Sequence, residues 1–497
     1  MINDGLLLMM LVWGVWLLVP IITDGASAFW QVALAMLFLP RTKKPSLPKK
    51  ELPRVSIIVP AYNEQLNITS CILGLKAQTY PHHLMEVIIV DDGSADATGP
   101  IVRSHIEGRG DGHKRLMISS LLLDVDDFQS TDVLHLIERK RGEVARHGKP
   151  AAVNAGLARA KGDIIIAIDS DIVLEPEAVA NAVRAFLADE DMVAATGHLI
   201  VDPYLAFEED ADGGPHLNAE GLPVPKALSG SERALTACQF LEYANAFHMG
   251  RRSESVTDTM FTLSGACAVF RREVFTANGG YRARTVSEDT DMTLTAHRLP
   301  GKHIGYMEDV RVHLAPTLTW SDLYSQRTRW QRGELEVSAF HLNAEREPEP
   351  ASKRMFWRIA LPMRLQMDHT LALPRIVWTF LLFMLPLFGY SLEVILQALA
   401  LMMMFYTFTN ALRTLVSYMF SSPPEKVFIR EYLGYIPLLP LYNMFLFWVR
   451  VNAALIVLNE DAQWTVKNAW LERVEALNMK KLQSAAARLF TFLLHVR

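Results

Sequence analysis

The stretch Val55-Ser-Ile-Ile-Val59, running straight into Pro60-Ala-Tyr-Asn-Glu64, decides the fold of this chain. Its aliphatic residues do not alternate with polar ones, so they fit a strand covered on both faces, as in parallel sheets. Val87-Ile-Ile-Val90 and Ile164-Ile-Ile-Ala-Ile168 have the same character. Helix-like stretches, Asn67–Gln78 and Ala151–Ala160, lie between these runs. Alternation of this kind predicts an α/β domain with a doubly wound, mostly parallel sheet. Each run ends in polar residues: the Tyr62–Glu64 turn, then Asp91-Asp-Gly-Ser94, then Asp169-Ser-Asp171. Open sheets of this type bind ligands outside the carboxyl ends of their strands.

A single Asp after a strand often caps the next helix. Paired or alternate carboxylates at two strand ends concentrate negative charge. A hard cation such as Mg²⁺ or Mn²⁺ relieves that charge while bridging a diphosphate. The net charge of −5 and the lack of a clustered basic surface speak against a nucleic-acid partner. Cys71, Cys238 and Cys267 have neither metal-ligand spacing nor the pattern of a disulfide framework, and read as reduced thiols.

With 497 residues, half of them apolar, the chain has room for two or three domains, and the apolar residues gather towards both ends. Gly5–Ile22 has the length and the tryptophans of a spanning helix, and its Met-Ile-Asn-Asp start lacks the basic region of a signal peptide. Ala26–Pro40 is a second, shorter candidate. Arg41, Lys43, Lys44, Lys49 and Lys50 follow it, which by the positive-inside rule places the next domain in the cytoplasm. Ile376–Leu392, Val394–Phe420 and Leu433–Leu458 are the later candidates, with Ser421–Arg430 read as a cytoplasmic loop. Met355–Pro374 carries Arg358, Arg364, Asp368 and His369 and suits the membrane interface. The expected division is 1–50 for N-terminal membrane segments and a basic linker, and 51–345 for a cytoplasmic α/β domain. Residues 346–460 are then an interfacial helix with the later membrane helices, and 461–497 a basic amphipathic tail.

Taken together, the motifs resemble those of the family 2 glycosyltransferases, in particular the membrane-integrated branch of cellulose, hyaluronan and poly-N-acetylglucosamine synthases. Val59–Glu64 and Asp91–Ser94 look like that family's nucleotide-binding turns, Asp169-Ser-Asp171 its metal-binding Asp-x-Asp, and Ser287-Glu-Asp289 its Thr-Glu-Asp motif. Gln326-Arg-Thr-Arg-Trp330 matches its Gln-x-x-Arg-Trp, and Lys149-Pro-Ala-Ala-Val-Asn154 its Lys-x-x-Ala-x-Asn helix start. The resemblance implies a GT-A-type fold and a UDP-sugar donor, UDP-N-acetylglucosamine first and UDP-glucose second. Tyr62, Glu64, Asp91, Asp92, Lys149 and Asp169 would contact the donor, and Asp169 and Asp171 the metal. Asp289 would be the catalytic base, with Gln326, Arg329 and Trp330 at the donor and acceptor. The product would be a β-linked polysaccharide made at the cytoplasmic face of the bilayer and passed to export. Single transfer to a membrane lipid is the alternative, and an inactive binding subunit of an export complex is a third reading.

Two features depart from the pattern. Ser287 replaces Thr but keeps a hydroxyl. The stretch Asp202–Gly230 is long and acidic and reads as a solvated loop. Arg327 and Arg332 read as membrane-surface or solvated charges, and His297, His303 and His313 as structural.

Overall fold

In the computed structural model the Val55–Val59 run is the heart of strand β1 (Val55–Ala61), central in an eight-stranded sheet. The model describes residues 25–37, 51–108, 114–118, 121–125, 133–140, 148–219, 222–343, 350–365 and 384–459. The other strands are β2 (Met85–Asp91), β3 (Lys114–Ile118), β4 (Leu121–Val125), β5 (Leu134–Glu138), β6 (Ile164–Ile168) and β7 (Ile172–Leu174). They are followed by β8 (Met192–Val201), β9 (Cys267–Arg271) and β10 (His303–Leu314). The sheet order is β5-β2-β1-β6-β9-β8-β10-β7, with β3 and β4 forming a separate ribbon.

β5, β2, β1 and β6 pair in parallel, as the unbroken aliphatic runs require. Beyond β6 the sheet is mixed. β9 runs antiparallel to both β6 and β8, β8 and β10 are parallel, and β7 closes the edge antiparallel. Six of the eight strands still run the same way, so the sheet is mostly parallel as expected, with β9 and β7 opposed. β9 carries a weaker signal, because Cys267–Phe270 is a short apolar run with a single β-branched residue.

Helices α1 (Ala26–Leu37), α2 (Ile68–Lys76), α3 (Thr98–Ile106), α4 (Lys149–Arg159) and α5 (Ala178–Ala188) precede α6 (Gly230–Asn245), α7 (Glu288–Ala296) and α8 (Trp320–Asn343). Those of the α/β domain cover the two faces of the sheet, burying Ile57, Val59, Ile89 and Ile166 in one cluster and Ile58, Ile88, Val90 and Ile165 in another. Side chains of one strand thus divide between two cores, which is why β1 tolerates no polar alternation.

Among the described residues after position 384, three α-helices follow: α9 (Leu392–Phe420), α10 (Pro423–Tyr432) and α11 (Leu439–Asn459), the last two joined by a 3₁₀ segment, Leu433–Leu438. Among the described residues two helical stretches, Leu392–Phe420 and Pro423–Val457, are long and apolar enough to cross a membrane. Leu396, Met404, Phe408 and Leu415 on α9 are exposed, as are Leu441, Met444 and Trp448 on α11. So large an apolar surface is foreign to water. Gly5–Ile22 lies outside the described residues, and α1, with 12 residues, is too short to span by itself. Of the Ile376–Leu392 candidate, the described part ends in a 3₁₀ turn at Leu385–Phe388 and a left-handed Gly389.

Ser421–Arg430 is not a loop. Ser422 starts α10 with a capping box, its side chain accepting from the Glu425 N–H while the Glu425 carboxylate accepts from the Ser422 N–H. Phe428, Ile429 and Tyr432 then bury themselves against Phe240 of α6 in the core of the α/β domain. Lys426 and Arg430, whose charge is consistent with a loop, lie towards the outer face of this amphipathic helix.

Asp202–Gly230 is also more ordered than its composition suggests. Leu205, Phe207 and Leu222 are buried with Leu73 and Val173, and Asp210 Oδ1 accepts from the N–H groups of Asp212 and Gly214. The acids Glu208, Glu209 and Asp210 remain exposed. Of the Met355–Pro374 segment, Phe356 and Trp357 pack against Phe261 and Leu294, while Met355, Ile359 and Met363 are exposed. One apolar face is covered by protein and the other is not.

Candidate active site

β1, β2 and β6 deliver their polar termini to one rim of the sheet. There a cavity of about 1090 Å³ is lined by Tyr62, Glu64, Asp92, Lys149, Asp169, Asp171, Asp289, Gln326, Arg329 and Trp330. Every sequence-predicted site residue except Asp91 borders it. Asp91 is buried, and its Oδ1 accepts from the Ser94 N–H at 2.9 Å, so its carboxylate shapes the turn. Asn63 adopts a left-handed φ of 55°, and its Oδ1 accepts from the Ala95 N–H while Ser94 Oγ accepts from the Asn63 N–H. The two turns are laced together, and Tyr62 is left half-exposed at the cavity edge.

Asp92 is buried and paired with Arg139, and it accepts from the Gly148 N–H at 2.6 Å. Gly148 has φ +103°, a conformation that suits glycine, and it starts α4 so that Lys149 points inward. Arg139 had no sequence signal beyond a charge directly after a short strand.

Lys149 is the hub of the cation–anion network. Its Nζ lies 2.5 Å from Asp169 Oδ1 and 3.5 Å from Glu288, and it donates to the Gly265 carbonyl at 3.4 Å. Burial works against its charge, yet Asp169, Glu288 and Asp289 together hold the ammonium above the ordinary lysine range. The acids around it show the opposite stress. Burial first, and the charge of Asp171 second, push Glu64 up to about 8. Burial and Asp169 push Asp171 up to about 6, with Lys149 and Arg329 pulling the other way. Burial likewise raises Glu288. Crowded carboxylates that resist ionising together, all offering oxygen, are a donor set suited to a hard divalent cation.

Asp289 occupies the first turn of α7, the end of a helix that favours a negative charge. Its Oδ2 accepts from the Gly265 N–H at 3.0 Å, and its Oδ1 accepts from Ser287 Oγ and the Thr290 N–H, both at 2.8 Å. Ser287 therefore holds the Asp289 carboxylate through its hydroxyl, a group it shares with Thr. α8 crosses directly over this motif: a Cβ on Gly333 would land on Ser287 Cβ, so only glycine admits the approach.

Along α8, Gln326, Arg329 and Trp330 face the cavity. Arg327 and Arg332 are not surface charges. Arg327 donates to Glu242 at 2.7 Å, stacks 4.4 Å from the Trp330 ring centroid, and shares Glu242 with the Tyr442 hydroxyl of α11. Arg332 is paired with Glu336 at 2.7 Å, and Glu336 in turn accepts from the Val286 N–H. Both are buried because α8 is sandwiched between the α/β domain and α11, which periodicity alone does not reveal. His297 Nε2 donates to the Met260 carbonyl and its ring stacks on Phe356, and His313 sits between Asp202 and Glu175, both structural roles as expected. Several charged cavity residues carry no motif, among them Glu242, Arg284, Glu334 and Arg450. Arg450, a lone cation within the apolar α11, reaches the same space. Its signal was there: an ionisable residue in an apolar helix marks a functional position by default.

The chain is similar to known proteins. The family model "Glycosyl transferase family 2" matches residues 56–119 and 132–278, and "Glycosyl transferase family group 2" matches 223–457. The probable glycosyltransferase YdaM of Bacillus subtilis (strain 168) is 25% identical over 323 residues, 63% of this chain and 65% of its own length. The poly-beta-1,6-N-acetyl-D-glucosamine synthase of Staphylococcus aureus (strain COL) is 23% identical over 317 residues, 63% of each chain. The matched region thus spans a little under two thirds of these curated relatives. Among solved structures, a mannosyltransferase of Pyrobaculum calidifontis in complex with GDP-Man and Mn²⁺ is 20% identical with a TM-score of 0.50, covering 84% of this chain and 96% of that one. It supports the GT-A-like fold. The sheet-edge acids, the ordered motifs and the two family models agree: the chain belongs to the family 2 glycosyltransferases.

Proposed function

We propose that the chain is an inverting glycosyltransferase that moves a sugar from a UDP-sugar, UDP-N-acetylglucosamine first and UDP-glucose second, onto a growing β-linked polysaccharide. The reaction takes place at the cytoplasmic face of a membrane crossed by α9 and α11. The observation that carries this reading is the shared cavity, where Lys149, Asp169 and Asp171 stand across from a fixed Asp289 and the Gln326–Trp330 segment closes one side.

Asp289 takes the proton of the acceptor hydroxyl as that oxygen forms its bond to the anomeric carbon. The anomeric carbon's bond to the diphosphate oxygen breaks on the opposite face, and UDP departs with the electron pair. A single displacement inverts the anomeric centre. Asp169 and Asp171 would hold Mg²⁺ or Mn²⁺, which would supply positive charge to the diphosphate. Lys149 and Arg329 add cationic charge to the same region. Trp330 offers its ring to the acceptor sugar, and Arg327 stiffens it from behind. Tyr62 and the Asp92–Arg139 pair build the rim for the nucleoside.

Arg450 supports a second reading, transfer of one sugar to a membrane lipid, because a cation from an apolar helix suits a lipid phosphate. Incubation of the purified protein with each UDP-sugar, Mg²⁺ or Mn²⁺ and membrane lipid separates the two. UDP release with products of many sugar units supports the polymerase, and one sugar per lipid sinks it.

A further inference from the structure

Where the turn between α9 and α10 meets the sheet, four Lewis-basic atoms converge. His198 of β8 places Nε2 2.8 Å from Glu425 Oε1. His248, in the π-helical stretch Ala246–Arg251, places its Nε2 3.2 Å from the same oxygen and 3.1 Å from Ser421 Oγ. Ser421 donates its one hydroxyl proton to the Ser417 carbonyl at 2.9 Å, so it turns lone pairs towards His248. Glu425 Oε2 accepts from the Ser422 N–H and hydroxyl at 2.9 and 2.7 Å, which aims Oε1 at the two imidazoles. All four side chains are at least 95% buried, and none borders the cavity around Asp289.

The surroundings are those of a metal site. His198 Nδ1 meets the Tyr306 hydroxyl at 2.6 Å, which fixes the ring and leaves Nε2 facing inward. His248 Nδ1 makes no hydrogen bond, and the Glu308 carboxylate stands 3.9 Å from it, anchored by Arg252 at 2.5 Å. Ligating imidazoles commonly use their second nitrogen on such outer oxygens. The donor atoms of His198, His248 and Glu425 all lie within 4.8 Å of one another.

We propose that His198, His248 and Glu425, with Ser421 as fourth donor, bind a divalent transition-metal ion, zinc by the chemistry of the donors. Two imidazole nitrogens with one carboxylate match zinc, whereas Mg²⁺ and Ca²⁺ seek all-oxygen shells with more ligands. Complete burial leaves no position for substrate, so the ion is structural. It clamps the α9–α10 turn to β8 and to the end of α6. The Asp169–Asp171 set is all oxygen and partly open, so the two sites select different ions.

The test uses full-length protein, purified in detergent from zinc-supplemented cells and dialysed against metal-free buffer. Elemental analysis is expected to find about one zinc per chain. The same content is expected in Asp171→Asn, with at least a tenfold drop in His248→Asn and in Glu425→Gln. X-ray absorption at the zinc edge of the unaltered protein reads the ligands without any variant. It should give a nitrogen/oxygen shell at roughly 2.0 Å with imidazole scattering and no sulfur. Tyr306→Phe should weaken zinc binding roughly 10–100-fold. Folded protein without zinc that develops no visible bands on titration with Co²⁺ overturns the proposal. So does zinc that survives in both ligand variants, or a sulfur shell at the edge.

Discussion

Asp289 Oδ2 accepts a hydrogen bond at 3.0 Å from the N–H of Gly265, the residue whose carbonyl takes the Lys149 ammonium. One peptide segment thus spaces the acid proposed to take the acceptor proton from the cation proposed to meet the diphosphate. Asp289→Asn keeps the side chain's size and one acceptor oxygen, loses one accepted hydrogen bond to its amide N–H₂, and cannot take the proton. Transfer should fall by roughly 10²–10⁴-fold, the usual worth of a positioned base. Binding of UDP, followed by calorimetry, should stay within about twofold, and a variant that retains full transfer refutes the assignment.

Lys149→Met leaves Asp169 and Glu288 without their cation. Sugar transfer should drop by roughly 10²–10³-fold, as for removal of one group that stabilises developing charge. Lys149→Arg should restore part of it, because the second cation keeps the pairing while its planar head cannot reproduce the geometry. Initial rates with saturating donor check both.

Chelation should abolish transfer, and adding back Mn²⁺ or Mg²⁺ should restore it. In Asp171→Asn the concentration of metal needed for half-maximal rate should rise at least tenfold, since a carboxylate oxygen is lost from an all-oxygen donor set. Rates measured against free metal concentration decide this.

Stability should depend on pH through His313. Burial works against its charge, but hydrogen bonds to Asp202 and Glu175 outweigh that and push the imidazole up to about 9. A raised value in the folded state means a contribution fully present below about 6.5 and lost as pH climbs through about 9. The melting temperature should therefore fall from pH 6.5 to 9, and His313→Gln should flatten that slope while lowering the melting temperature at pH 6.5.

Gly333→Ala should push α8 off Ser287 and cost about 1–3 kcal/mol, the usual penalty for overpacking a tight contact. Because Arg329 and Trp330 ride on the same helix, transfer should fall together with the melting temperature. An unaltered melting point with full activity would show that the two helices separate freely.

How much of this was legible in the sequence depended on how locally each feature is encoded. The strands that carry Glu64, Asp91 and Asp169 announce themselves, because burial on both faces demands unbroken aliphatic runs. The acids at their ends are legible for the same reason. What the sequence hid is long-range. Nothing near residue 327 tells that Glu242 and Tyr442 will enclose it, and nothing near Pro423 tells that Phe428 and Tyr432 will find Phe240. Amphipathic α10 was taken for a loop because its ten residues sit between two far more apolar stretches. The antiparallel β9 was missed because a five-residue strand in mid-sheet needs its neighbours to be recognised.

The docking of α10 fixes the height of the enzyme. With Phe428, Ile429 and Tyr432 sunk in the α/β core, the inner ends of α9 and α11 cannot swing on a tether. The cavity then keeps a fixed distance from the apolar helices, like a tool bolted to its bench. On the polymerising reading proposed above, a lengthening product would have to slide past Trp330 and Arg450, because the catalytic body makes no stroke of its own.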